Sequence, residues 1–553
     1  MDQGVARRRF AISDAAANLS LSLFHAGCIL MKQGAFTTGK WAGWPALCFV
    51  AIATALAFGG LIGFNRNEFD WSYFSDPYFL AILRFTLLQA TLSALVSVAL
   101  AWPAALALSY LKDSLHKRVF LSLCVLCFVM PTLIVITGII SLLGRSGSLS
   151  PLLGEDWNLY GLSGILIAHV YLNLPFAVRT LYLRLQSIPD ASWRLARQLK
   201  LTRMQRFLQL EWAATHSSTW LLLGFIFVIC FNSFAVVLAL GGGPKATTLE
   251  VAIYQALKYD FNISEALALA WVQLLIAGSA FLLVSFCGKV SWLSPASAPT
   301  QLRPTATRPE ALAYRALYGC CWLFLLAPLL ALIPRVIDGA ADMTFWSSLS
   351  RPLLVTLGLG AISTALSISL AYSALRPYRR ARLQGSSTAL WLDWLTSHSL
   401  AVPAMVLSVG LFVLLLPHLD LDHWGMWLVA LINGLITVPF AASQLKPALL
   451  NFDSQYHRLA QSLKLTSWRR RRIEWSYMAP AIRTAAAFVA MLAMGDVAIY
   501  SIFGSQDFVT LPWLIYGYAS TYRLTEASLA SMVFLGVCGL LIFYLEKQSP
   551  RHA

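Results

Sequence analysis

Long apolar runs recur along this chain at a length that leaves little choice of solvent. Twelve stretches, near 42–63, 82–110, 119–143, 161–183, 217–240, 264–288, 315–335, 352–375, 389–416, 424–446, 481–505 and 525–545, are mostly apolar over the ~20 residues an α-helix needs to cross a bilayer. Only 12% of the 553 residues are charged and 58% are hydrophobic, where a soluble domain carries about 25% charged residues. The expectation is an all-α integral membrane protein of about 12 transmembrane helices.

The net charge of +16 invites two explanations, a nucleic-acid partner or membrane topology, and the placement of Lys and Arg separates them. With the N-terminus in the cytoplasm, 33 of the 41 basic residues fall in or beside inside segments and 8 outside. That is the positive-inside bias. Twelve spans then return the C-terminus to the cytoplasm. No phosphate backbone is needed to explain the charge, and no nucleic-acid partner is expected.

The chain also repeats itself. Residues 194–202 read RLARQLKLT and residues 458–466 read RLAQSLKLT, seven identities in nine at an offset of 264. Pro175-Phe176-Ala177 matches Pro439-Phe440-Ala441 at the same offset, and Glu211-Trp212 matches Glu474-Trp475 at 263. A G-x5-T-L-x3-I-Y pattern runs from Gly242 to Tyr254 and again from Gly504 to Tyr516. Matches that keep their order predict two parallel six-helix repeats related by an axis along the membrane normal. The first module is expected at 42–288 and the second at 315–546. A Pro- and Ser-rich cytoplasmic linker (289–314) joins them, with an N-terminal extension (1–41) and a short tail (547–553).

The nine-residue repeat lies in the longest inside loop of each half, after the fourth span and before the fifth. Around the first copy Trp193, Leu195, Leu199, Met204, Phe207 and Leu208 alternate with Arg194, Arg197, Lys200, Arg203 and Arg206. This predicts one or two short amphipathic helices at the membrane surface. Headgroup contact explains their charge but not their duplication. A partner present in two copies needs two equivalent anchors, so docking is the favoured reading.

These loops resemble the coupling, or EAA, loop of ABC importer permeases. The resemblance implies contact with two copies of a cytoplasmic ABC ATPase through Arg194, Ala196, Lys200, Arg458, Ala460 and Lys464. The family's usual Glu-Ala-Ala is represented by Arg194-Leu195-Ala196 and Arg458-Leu459-Ala460, and its usual glycine by Lys200 and Lys464. The residue best suited to a positive-φ turn is therefore missing from both copies.

From about residue 42 onward the chain is similar to the fused twelve-span permeases of bacterial thiamine and thiamine-phosphate importers. The segments that carry this are Tyr160 to Pro175 (YGLSGILIAHVYLNLP), Phe231 to Leu257 and Gly495 to Tyr516. The resemblance implies the ABC importer permease fold in the inner membrane, a periplasmic substrate-binding protein as partner, ATP bound on separate subunits and no cofactor in this chain. Fused ferric-iron permeases share the architecture and supply the alternative cargo.

No cytoplasmic stretch is long enough for an ATPase domain. Gly241-Gly242-Gly243 with Pro244, Lys245 and Thr247 lacks the GxxxxGK[ST] spacing of a phosphate loop and is expected to end the fifth span. The chain is thus expected to be a transport subunit and not an enzyme. A secondary transporter is the competing class, but it generally needs intramembrane acids or ion sites, and Asp496 and His169 are the clearest buried ionisable residues. Eight cysteines, Cys48, Cys124, Cys127, Cys230, Cys287, Cys320, Cys321 and Cys538, fall in the spans and are expected to be small buried hydrophobes, not metal ligands. The cargo path is expected between the halves, lined by spans five and eleven with Asn232, Ser233, Phe234 and Asp496. An acid inside a bilayer is costly and so a functional candidate. For a cargo with a fixed charge on an aromatic ring, a carboxylate and ring faces would ease passage.

Overall fold

A computed structural model describes residues 43–63, 74–154, 156–287, 307–339, 343–397, 402–463 and 466–547. The expected N-terminal extension, most of the 289–314 linker, nearly all of the tail, and Lys464 lie outside the described residues. Among the described residues all regular structure is helical.

The chain opens with α1 (Trp44–Gly63) and α2 (Pro77–Tyr110). Asp76 starts α2 by accepting the Tyr78 N–H at 2.9 Å, with Pro77 at the position where a missing N–H costs nothing. Then come α3 (Leu115–Val129), α4 (Thr132–Leu143), α5 (Leu162–Gln186), a short α6 (Asp190–Gln198) and α7 (Arg203–Phe231). Two short helices, α8 (Ala235–Leu240) and α9 (Leu249–Lys258), precede α10 (Ile263–Cys287).

The remaining helices follow. They run through α11 (Arg308–Leu330), α12 (Met343–Leu383), α13 (Thr388–Ser397), α14 (Ala404–Leu415), α15 (Leu421–Ser462) and α16 (Ser467–Met494). The short α17 (Ala498–Phe503) and α18 (Leu511–Ser520) then lead to α19 (Leu524–Lys547).

Among the described residues each of the twelve apolar runs is largely helical, but not all are straight spans. Among the described residues ten helices are long and apolar enough to cross a membrane, and α3 with α4 makes an eleventh only as a pair bent by 104°. The ninth run, 389–416, is described as α13 and α14, with 398–401 between them outside the described residues. A proline precedes the later helix in both runs. Pro131 and Pro403 stand immediately before α4 and α14, and Met130 ahead of Pro131 is extended (φ −61°, ψ 137°). Proline offers no N–H and disfavours helix in the residue before it. The fifth and eleventh runs are also broken: α7 stops at Phe231 and resumes as α8, while α16 stops at Met494 and resumes as α17.

Packing crosses between the two copies. α1 lies against α12 and α14, and α11 lies against α2 and α4. The approach is closest at glycine: a Cβ on Gly60 would fall 2.0 Å from the Gly410 carbonyl oxygen, and one on Gly138 would fall 2.6 Å from that of Pro328. One hydrogen bond also recurs, since Thr86 Oγ1 accepts from Leu249 N at 3.1 Å and Thr356 Oγ1 from Leu511 N at 2.7 Å.

The cysteines divide. Cys124, Cys127, Cys230 and Cys538 are buried as expected, Cys321 is half-buried, but Cys48 and Cys320 are exposed on the outer faces of α1 and α11. On a membrane helix an apolar side chain needs no protein cover, so position in a span does not imply burial.

Candidate functional site

Two regions gather the residues singled out from the sequence. The first is the duplicated loop. Pro189 separates α5 from α6, which buries Trp193 and Ala196 and exposes Arg194, Arg197 and Lys200. Leu195 and Leu199 face outward, 55% and 62% exposed, and Met204 is exposed beyond them. The turn after α6 is retained without glycine: Lys200 itself takes φ 50°, its N–H donates to Arg197 O at 3.1 Å, and Leu201 N donates to Ala196 O at 3.0 Å. This is the Schellman closure that glycine usually provides. A Thr202–Gln205 capping box then starts α7.

The second copy departs from the expectation of separate short helices. α15 runs unbroken to Ser462 and carries Arg458 and Ala460 near its end. Asp453 stands where the first copy has Pro189, so nothing interrupts the helix. Leu459 and Leu463, the counterparts of Leu195 and Leu199, are 53% and 60% exposed.

Behind each loop is a buried acid. Tyr110 Oη donates to Glu211 at 2.7 Å, and Tyr372 Oη donates to Glu474 at 2.8 Å. In the second copy Arg379 lies between Glu474, at 2.9 Å, and Asp453, which it grips with two nitrogens. In the first, Arg203 reaches Glu310 of α11 at 2.5 Å and the Tyr314 hydroxyl at 2.9 Å.

The second region lies where the broken spans meet. Gln273 of α10 is fully buried, and its Nε2 donates to Glu250 Oε1 at 2.7 Å and to Asn232 Oδ1 at 3.2 Å. Glu250 is 1% exposed, and α9, which carries it, packs against α17. Asp496 accepts from the backbone of Ile499 and Tyr500, the first turn of α17. One turn along α9 from Glu250, Tyr254 meets Phe234 edge-on at 5.5 Å and Trp513 of α18 at 6.4 Å. Trp513 packs in turn on Tyr500 at 5.4 Å, and Tyr500 is one turn from Asp496.

Over residues 380–547 the chain matches the family model described as "Binding-protein-dependent transport system inner membrane component". It is 33% identical over 538 residues to the thiamine transport system permease protein ThiP of Salmonella typhimurium, covering 92% of this chain and 98% of that protein. The Escherichia coli protein of the same name is 33% identical over 526 residues, 91% and 95% of the two chains. That of Brucella abortus is 32% identical over 525 residues, 92% and 94%. The chain belongs to the thiamine transport system permease family. The permease is therefore a multi-pass inner-membrane component of an ABC importer, and its family works generally with an ATPase and a substrate-binding protein.

Of the pathway candidates in the permease, Asn232, Phe234 and Asp496 join one cluster, whereas Ser233 turns to His169 Nε2 at 2.9 Å. His169 Nδ1 is 2.9 Å from the Ser93 hydroxyl, which ties α2, α5 and the α7–α8 break together. Gly242 and Gly243 take φ 72° and 134° just after α8, where the glycine run was expected to turn the chain. Glu250, Gln273, Tyr254 and Trp513 were not singled out as site residues. The available signal was an acid inside the apolar run LEVAIYQAL, within the repeated pattern that ends on Tyr254.

Proposed function

We propose that this permease carries thiamine or its phosphates from periplasm to cytoplasm, fed by a periplasmic substrate-binding protein and driven by two copies of a cytoplasmic ATPase that bind the ATP. The observation that carries the ATPase reading is the pair of matched, outward-facing leucines, Leu195 with Leu199 and Leu459 with Leu463, set among arginines and lysines. Apolar side chains held out on a basic surface suit a groove on a partner, and two matched sets suit two copies of it. Arg194, Ala196 and Lys200 serve one copy, and Arg458, Ala460 and Lys464 the other.

The chain divides into modules 42–288 and 315–546 about the linker 289–314, with both termini in the cytoplasm. The recurring Thr86 and Thr356 hydrogen bonds and the matched breaks after Phe231 and Met494 support this division. The cargo passes between the modules, along Asn232, Ser233, Phe234 and Asp496. No cofactor belongs to this chain.

Arg194→Glu combined with Arg458→Glu is expected to abolish ATPase co-purification and thiamine uptake while the permease still inserts. Uptake and association that both persist in the double variant would show that these segments are lipid-facing anchors.

A further inference from the structure

Glu250 has no role in docking, and a buried acid that only capped a helix would not need the surroundings this one has. A second acid, Asp496, caps α17, which packs against the α9 that carries Glu250. Its direct hydrogen-bond partner, Gln273, is fully buried and already divides one amide nitrogen between Glu250 and Asn232. The Oε1 of the same carboxamide accepts from nothing. The cluster therefore holds more acceptors than donors in a place where an unmet acceptor is expensive. Such a set is completed by something positively charged or rich in donors.

The aromatic residues narrow the choice. Tyr254 lies four residues after Glu250 on α9 and shares its helix face, and Tyr500, in the first turn of α17, donates its backbone N–H to Asp496 at 3.4 Å. Trp513 links the two, at 6.4 Å from Tyr254 and 5.4 Å from Tyr500. A small inorganic cation would make no use of these rings. A planar organic cation uses both features, since its charge is met by carboxylates and ring faces and its plane by stacking.

We propose that Glu250 and Asp496, with Gln273, form a binding subsite for a cationic heteroaromatic ring, and that Tyr254 and Trp513 stack on it. This rests on the thiamine reading and deepens it: the thiazolium is the group recognised. A site built on two acids also ranks unphosphorylated thiamine above its diphosphate.

The test is equilibrium binding of radiolabelled thiamine to the full-length permease assembled with its ATPase in lipid nanodiscs. The competitors are thiamine diphosphate, a neutral analogue lacking the quaternary nitrogen, and an N-methylpyridinium cation. Glu250→Gln keeps shape and removes charge; it and Trp513→Ala are each expected to weaken thiamine binding about tenfold. Glu250→Asp and Trp513→Phe should recover much of the loss, and the neutral analogue should compete poorly.

Wild-type affinity in Glu250→Gln would mean a neutral, structural carboxyl and overturns the proposal, as does tighter binding of the diphosphate. Should Glu250→Gln fail to assemble, Trp513→Ala decides, and unchanged binding there is equally fatal. Thiamine bound by the wild type with both variants unaffected sinks this subsite and leaves the thiamine reading standing. Binding of the pyridinium cation but not thiamine, lost in Glu250→Gln, does the reverse. Binding of neither overturns both.

Discussion

Lys200 shows how a residue ill suited to its conformation can hold a functional turn. At φ 50° its Cβ crowds the backbone, a cost of about 1–2 kcal/mol for an L-residue that glycine does not bear. The two hydrogen bonds that close the turn depend on backbone atoms alone. Lys200→Gly is therefore expected to keep the loop and to raise the stability of the purified permease by up to about 1 kcal/mol, read as a higher thermal midpoint. If uptake falls while the midpoint rises, the lysine is retained for its charge against the ATPase; a lower midpoint would refute the strain argument. The sequence shows that glycine is absent here but not whether the turn survives, because its closure is independent of side-chain identity. Glu250 was hidden for a different reason. Its neighbours Thr247 and Thr248 read as an outside loop, and only the fold brings α10 and the second copy over it.

At the level of elements, hydropathy located the long helices but missed the short α9 and α18 and was blind to direction. The run 119–143 is apolar on both sides of Pro131, so nothing in its composition announces a bend of 104°. Proline alone does not decide either, because Pro103, Pro175 and Pro439 sit inside unbroken helices. A proline inside a membrane helix is tolerated where the freed backbone groups find other partners. The two copies of the repeated loop diverge for a local reason. Pro189 ends α5, whereas Asp453 lets α15 continue and gives Arg379 a partner. Arg379, Asp453 and Glu474 fasten α12, α15 and α16 together behind the second copy of the repeated loop. Arg379→Met leaves two buried carboxylates without their cation, which should cost about 3–5 kcal/mol. Adding Asp453→Asn and Glu474→Gln should restore most of it. Thermal unfolding of the three proteins checks this, and a harmless single variant would mean that the acids are neutral or hydrated.

Across the whole molecule, the first helix of each proposed module packs on the other one. α1 rests on α12 and α14 of the second, and α11 rests on α2 and α4 of the first. The repeat in the sequence suggests two modules, but it is silent on the exchange, because matched residues report likeness and not contact. The consequence is that neither module completes its own surface, so sliding one past the other must carry the partner's first helix with it. Close backbone approach is what makes these contacts strong in a bilayer, where apolar burial alone favours no particular neighbour. Gly60 is the sharpest instance, with no room for a Cβ against the Gly410 carbonyl, while its neighbour Gly59 has nothing within 4 Å of that position. Gly60→Leu is expected to force α1 off α14 and to lower stability by about 1–3 kcal/mol or more, seen as a reduced thermal midpoint and a smaller monodisperse peak in detergent. Gly59→Leu, with the same added side chain on the same helix, should behave as wild type. Equal behaviour of the two variants would mean that α1 is a peripheral anchor, and the exchange of first helices would then play no part in holding the modules together.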